Sequence, residues 1–260
     1  MNYLKVRIVR GMAIGMFVGW LLGSCSSSYS LVGVEGGRVA ITRQYDNHSD
    51  AEASKILRPY QQKVDSIMSP VIGHSAMSMS AFRPESPLSN LIADVLRQAG
   101  ETAIGKPVDV AVMNMGGIRN AMPEGEITFG TIYEIAPFEN ALCVLTMDGA
   151  TLEELFKQIA SVHGEGLSGA TLQIDAQGHL LEARVNGRPV EAKKVYTVAT
   201  IDYLAEGNDK MEAFRNAQSK LFPKDALLRS LLLDYVKKCE QKGQFVSSQV
   251  EGRIKVNASN

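Results

Sequence analysis

The apolar run Val108 to Met113 reads as a buried strand, and it delivers the chain to Asn114-Met115-Gly116-Gly117-Ile118-Arg119. A Pro137-Phe138 pair follows shortly after. Two consecutive glycines at a strand exit mark a place where the chain turns sharply or lies bare against a ligand, since neither carries a Cβ. The flanking asparagine and arginine suit a polar or anionic ligand. They suit a tight turn with a surface arginine equally well, and the local sequence leaves both readings open.

The surrounding pattern alternates between the two periodicities. Leu31 to Ile41 is expected to form a hairpin about Glu35-Gly36-Gly37. A helix is expected from Ser49 or Asp50 toward Met68, with Ile56, Leu57, Tyr60, Val64, Ile67 and Met68 at helical spacing. Pro59 should kink or divide it. Val71 to Phe82 reads as a strand region. Ser89 or Asn90 opens a helix that turns Leu91, Ile92, Val95 and Leu96 inward and ends at Gly100. Gly125 to Pro137 reads as a short strand and a short helix, and Ala141 to Met147 as a strand. Asp148-Gly149-Ala150-Thr151 then introduces a helix holding Leu152, Leu155, Phe156 and Ile159. Strands dominate Ala170 to Thr200, with turns at Ala176-Gln177-Gly178 and Asn186-Gly187. Val195 to Ile201 is a further strand. It empties into a second polar loop, Asp202-Tyr203-Leu204-Ala205-Glu206-Gly207-Asn208-Asp209. An amphipathic helix over Asp225 to Lys242 and a strand over Gly252 to Val256 follow. This mixture predicts an α+β fold, with mixed sheets flanked by helices.

Only the first segment departs from a globular composition. Lys5, Arg7 and Arg10 precede an uncharged apolar run from Gly11 to Gly23, which is short for a membrane span and fits a secretory signal. The run ends in Leu22-Gly23-Ser24-Cys25, which resembles a bacterial lipobox, and Ser26-Ser27-Ser28 reads as a linker. A plain signal peptide with an incidental cysteine, or a short membrane anchor, is the alternative. The expected organisation is a signal peptide over 1–24, then a lipidated Cys25, Ser-rich linker and hairpin over 25–48, then one domain over 49–260. Such a chain is exported and held by lipid at a membrane, expected to be the outer membrane facing the periplasm or the cell surface. Cys143 and Cys239 have no metal or redox spacing and read as two inert thiols, with a mutual disulfide as the alternative. A net charge of -1 gives no footprint for a nucleic acid polymer.

Several motifs in order resemble the C-terminal domain of the 5′-nucleotidase family. They are Asn114, Gly116, Gly117 and Arg119, then Pro137-Phe138, then Gly149-Ala150-Thr151-Leu152 at a helix start. Upstream, Glu85-Ser86-Pro87-Leu88-Ser89-Asn90-Leu91-Ile92 resembles the family's helix entry, and downstream Tyr203 to Asp209 resembles its second loop. The resemblance spans roughly Ile56 to Val256. It implies a layered α/β/β/α domain that holds a nucleotide or nucleoside. Carried over residue by residue, it implies that Phe138 and Tyr203 stack on the base and that Asp209 binds the ribose hydroxyls. Asn114 and Arg119 become polar anchors beside Gly116 and Gly117. Pro84 takes the place of the family's arginine before Glu85, and Arg83, one residue earlier, is carried over by the resemblance as a candidate substrate-binding residue. Asn208 replaces a usual glycine, and Tyr203 a usual phenylalanine. Read without the resemblance, Phe138 fits a core ring, Tyr203 a half-buried strand residue and Asp209 a helix cap.

The family's enzymes also carry a metallophosphoesterase domain whose motifs gather histidines and carboxylates around two metals. The histidines here are His48, His74, His163 and His179. Asp46-Asn47-His48 and Gly73-His74 match fragments of those motifs without their companions, so no metal site and no catalytic residue is expected in these 260 residues. The expected function is therefore the nucleotide-specificity part of a 5′-nucleotidase-type phosphohydrolase. A separate metallophosphoesterase chain would carry the divalent metals. A surface nucleotide- or nucleoside-binding lipoprotein without hydrolysis is the alternative, and a scaffold with a lost pocket is a third reading.

Overall fold

The structure, a computed structural model, describes residues 29–48 and 50–257. The signal segment, Cys25 and the candidate cap Ser49 lie outside the described residues. The chain divides into two units, Met1–Ser54 and Lys55–Asn260. In the first, residues 29–42 have no regular structure and a 3-10 turn spans Arg43–His48. The expected hairpin over 31–41 is corrected. Leu31, Val32, Val34, Val39 and Ile41 are all exposed, and a lone hairpin with no face to bury is marginal in water.

Helix α1 (Ala51–Met68) starts where Asp50 Oδ1 accepts the backbone N–H groups of Glu52 and Ala53, at 2.8 and 3.1 Å. It runs as one element through Pro59. Its Ile56, Tyr60 and Val64 are exposed, so a carbonyl released by the proline can turn to water.

The second unit is built on a five-stranded sheet. Its order is β10 (Ser219–Leu221), β4 (Leu142–Asp148), β9 (Val195–Ile201), β2 (Val110–Met113), β5 (Gly166–Ser168). Strands β2 and β9 are parallel, and the other neighbours are antiparallel. A four-stranded sheet follows the order β11 (Ile254–Asn257), β6 (Ala170–Asp175), β7 (Leu180–Val185), β8 (Arg188–Pro189), and β1 (Val71–Ser75) pairs with β3 (Gly125–Thr128). Every residue of β2 is buried, as is β9 from Tyr196 onward, which requires cover on both faces. Helix α2 (Pro87–Ile104) packs along β2, β5 and β9, while α4 (Gly149–Ser161) packs against β4 and β9 and against β6 and β7. These are mixed sheets flanked by helices, the α+β class that the periodicities predict.

Helix α2 shows why its ends were misplaced by local reading. It opens earlier than Ser89, because Ser86 is the N-cap and exchanges side-chain-to-backbone bonds with Ser89, with Pro87 at the first helical position. It does not stop at Gly100. A Cβ there would lie 3.1 Å from Ala199 Cβ and 3.2 Å from Val108 Cγ2, so this glycine lets the helix press onto the sheet. The stop is Gly105, left-handed at φ 67°.

The upstream motif is structural. Buried Glu85 accepts from Asn90 Nδ2 (2.7 Å) and the Glu251 N–H (2.8 Å), and Asn90 also donates to the Gln249 carbonyl (2.9 Å). This ties the entry of α2 to the segment that leads into β11. Cys143, in β4, and Cys239, in α6 (Leu228–Gln241), are free thiols. Burial pushes the Cys143 thiol up to about 12, which keeps it protonated and inert.

Candidate functional site

The strand directions assemble the site. Because β2 and β9 are parallel neighbours, their carboxyl ends open on the same edge of the sheet. Because β4 runs antiparallel to β9, with Leu142 opposite Ile201, the segment that enters β4 arrives at that edge too. Three chain segments distant in sequence thus meet. The exit of β2 supplies Asn114 and the 3-10 turn Met115–Gly117. The segment after α3 (Phe129–Ile135) supplies Phe138 and Asn140, and the short helix α5 (Asp202–Ala205) with the loop after it supplies Tyr203 and Asp209.

They enclose a cavity of about 380 Å³, lined by Asn114, Gly116, Gly117, Phe138, Asn140, Tyr203 and Asp209. This lies within the ordinary range for small-molecule sites. Phe138 is 48% exposed and Tyr203 42% exposed. Neither is a core ring, and both present apolar surface at the cavity.

Asp209 is the hub. Asn114 Nδ2 donates to its Oδ2 at 2.6 Å, and the Tyr203 hydroxyl donates to its Oδ1 at 2.9 Å. Each carboxylate oxygen keeps a lone pair for another donor. The bond to Asp209 also raises the Tyr203 pKa, so the hydroxyl remains a donor. Asp209 and Lys210 both have positive φ, 53° and 65°. Asp209 therefore turns the loop rather than capping a helix.

Asn114 is 4% exposed, and its Oδ1 has no partner among the described residues. Gly117 is bare for a physical reason: a Cβ there would lie 2.6 Å from Met113 Cε and 2.8 Å from Asn114 Oδ1. Arg119 does not line the cavity. Its Nη1 donates to the Gly116 carbonyl at 3.0 Å, and its guanidinium carbon lies 6.0 Å from the Phe138 ring centroid, at the rim.

Arg83 is not brought to the cavity lining. Its Nε donates to the Gly164 carbonyl at 2.8 Å and its Nη2 to the carboxylate of Glu165. Two residues went unnoticed in the sequence. Asn140 lines the cavity, and Glu165 is a buried carboxylate beneath the Asn114 turn. Gly164 and Gly166 flank Glu165 in the sequence, but that pattern alone does not distinguish a buried carboxylate from a turn.

Burial raises the Glu165 pKa above the ordinary glutamate range, against the lowering effects of the Met115 N–H and Arg83. Between the unfolded and the folded value, the native state therefore holds a proton that the unfolded chain has already released. The stability from this group is full below the unfolded value and is lost as pH rises through the folded value. In urea unfolding from pH 4 to 8, wild type should lose stability relative to Glu165→Gln as pH rises through that window. A difference independent of pH would contradict this.

Among the described residues, no group of three or more His, Cys, Asp or Glu side chains is gathered as metal ligands. No helix of the described residues is long and apolar enough to cross a membrane.

Residues 70–216 match the family model described as 5′-nucleotidase, C-terminal domain. The chain belongs to this family. Endonuclease YhcR of Bacillus subtilis (strain 168) is 35% identical over an alignment of 164 residues, covering 60% of this chain and 13% of that protein. Protein UshA of Yersinia enterocolitica is 26% identical over 173 residues, covering 62% of this chain and 30% of that one. The solved structure of a 5′-nucleotidase precursor from Thermus thermophilus superposes with a TM-score of 0.70 at 26% identity, covering 80% of this chain and 43% of that chain. The chain thus spans less than half the length of each of these relatives.

Proposed function

We propose that this 5′-nucleotidase C-terminal domain is the nucleotide-specificity part of a 5′-nucleotidase-type phosphohydrolase in nucleotide catabolism. The observation that carries the reading is the convergence, around one cavity, of two half-exposed rings and a carboxylate on an Asn-Gly-Gly turn. The rings offer faces for a base, and such stacking tolerates different bases. Asp209 offers its remaining lone pairs to a vicinal diol, as carboxylates do for ribose in dinucleotide sites. Exposed Arg119 offers a fork of donors to phosphate or sugar oxygens.

Hydrolysis in this reading takes place with a separate metallophosphoesterase chain, whose divalent metals would supply the activated water. The residues of this chain bind and orient. A nucleoside fixed at base and ribose presents its 5′-phosphate in one direction, and such positioning contributes on the order of several kcal/mol to lowering a barrier. An exported chain anchored by lipid at Cys25, at the outer membrane facing the periplasm or the cell surface, suits this role.

Combining this chain with a co-purifying metallophosphoesterase should produce AMP hydrolysis that neither chain shows alone. Activity of this chain alone after metal removal would overturn the assignment. Nucleoside binding without hydrolysis in either condition would favour the alternative, a surface nucleotide- or nucleoside-binding lipoprotein. In either case Phe138→Ala should weaken adenosine binding by about 5- to 150-fold, the weight of one base–aromatic stack. Calorimetry on the purified chain checks this, and unchanged affinity would remove Phe138 from the site.

A further inference from the structure

The nucleoside pocket rests on a residue that does not line it. Strand β5 pairs antiparallel with β2 in the register Ala111↔Ser168, Val112↔Leu167, Met113↔Gly166. Continued by one position, that register sets Glu165 opposite Asn114. The ladder stops there and a side chain takes over. One Glu165 oxygen accepts the Met115 N–H, and the other accepts Arg83 Nη2. The Met115 N–H belongs to the first residue of the 3-10 turn, where no helical carbonyl can satisfy it.

Glu165 is 2% exposed. A carboxylate buried this deeply is costly even when paired, and an apolar side chain would serve packing at lower cost. Its neighbours are arranged to admit it. A Cβ on Gly164 would run into the Pro84 carbonyl oxygen, and one on Gly166 would lie 2.9 Å from the Ser89 carbonyl and 3.1 Å from that of Met113. The two glycines let three backbones close around the carboxylate. From Glu165 the bonds continue to the Met115 N–H, then through the chain to Asn114, and from its Nδ2 to Asp209, which Tyr203 holds from the other side.

We propose that Glu165, braced by Arg83, is the positioning residue of this pocket: it fixes the Asn114–Met115 backbone so that Asn114 holds Asp209 in its binding geometry. Arg83 then supports the site from beneath, through Glu165. The inference rests on the nucleoside-pocket reading given above.

The test uses the full chain with adenosine as probe. Glu165→Gln keeps the shape but can accept from only one of the two facing donors. It should weaken adenosine binding by about 10- to 100-fold, the weight of a charge-assisted hydrogen bond. Its urea transition at pH 7 should remain cooperative, so that the lost affinity is read on folded protein. Combined with Asn114→Ala it should bind no more weakly than Asn114→Ala alone, since both act through one path. The amide of Met115 should exchange hydrogen faster in Glu165→Gln, a readout that needs no ligand. If Glu165→Gln does not fold, Arg83→Gln alters a half-exposed partner and should show the same non-additivity with Asn114→Ala.

Wild-type affinity in Glu165→Gln, fully additive losses, or an unchanged Met115 exchange rate would each overturn the proposal. If wild type itself binds no adenosine, the pocket reading fails first, and the exchange rate alone then decides whether the clamp exists.

Discussion

Replacing Asp209 with asparagine should reduce adenosine affinity by roughly 10- to 100-fold while leaving the fold intact. Hydrogen bonds to a charged acceptor contribute about 1.5–3 kcal/mol each, and the diol would make its bonds to this carboxylate. Asparagine is chosen because position 209 has a positive φ of 53°. Asn tolerates that conformation better than most residues, whereas alanine would add backbone strain. The amide would also turn its NH2 against either Asn114 Nδ2 or the Tyr203 hydroxyl, each of which donates to one oxygen of this side chain. Calorimetry with 2′,3′-dideoxyadenosine separates diol recognition from loop disruption. Wild type should bind the dideoxy ligand more weakly than adenosine, and Asp209→Asn should bind the two nearly alike. Equal discrimination in both proteins would place the diol elsewhere.

The second large effect is on stability. Gly164→Ala should lower unfolding free energy by about 3 kcal/mol or more, measured in urea. Gly164 has a φ of 111°, a conformation that L side chains rarely adopt, and its Cβ would be built into the Pro84 backbone. The same residue donates its N–H to the Ile159 carbonyl at 3.0 Å and accepts Arg83 Nε at 2.8 Å. A methyl group here therefore pushes apart the segment before α2, the end of α4 and the Glu165 loop together. By contrast, Gly105 is also left-handed but has open space around it, so Gly105→Ala should cost less. Equal losses at the two positions would mean that backbone conformation alone, and not the Pro84 contact, sets the Gly164 effect.

Much of this fold was legible because burial leaves a periodic trace. The apolar run into Met113 is a strand buried on both faces, and Leu152, Leu155, Phe156 and Ile159 form the inward face of α4. Asn186-Gly187 closes the β7–β8 hairpin with positive φ at both residues, 48° and 76°. What failed were positions whose meaning is tertiary. Gly100 has the local character of a helix stop but serves as a packing contact, a difference set by Ala199 and Val108. Residues 31–41 have the apolar pattern of a hairpin, but their apolar side chains are exposed and they form no strand. In the site, motif order placed Asn114, Gly116, Gly117, Phe138, Tyr203 and Asp209, and these do share one cavity. Arg83 was carried over by its nearness to Glu85, yet its guanidinium is committed to Glu165 and Gly164. Glu165 has no local signature that reveals its role, because that role depends on lying one register step beyond the Met113–Gly166 pair.

The proposed nucleoside pocket lies at the edge of the five-stranded sheet where β2 and β9 end. The most direct test is calorimetric titration of the purified chain with adenosine and AMP, each compared with Phe138→Ala. The expected result is saturable binding at one site, with a negative heat-capacity change from the buried base, that weakens in the variant. Absence of binding by adenosine and AMP at millimolar concentration, or binding that Phe138→Ala leaves untouched, would contradict it.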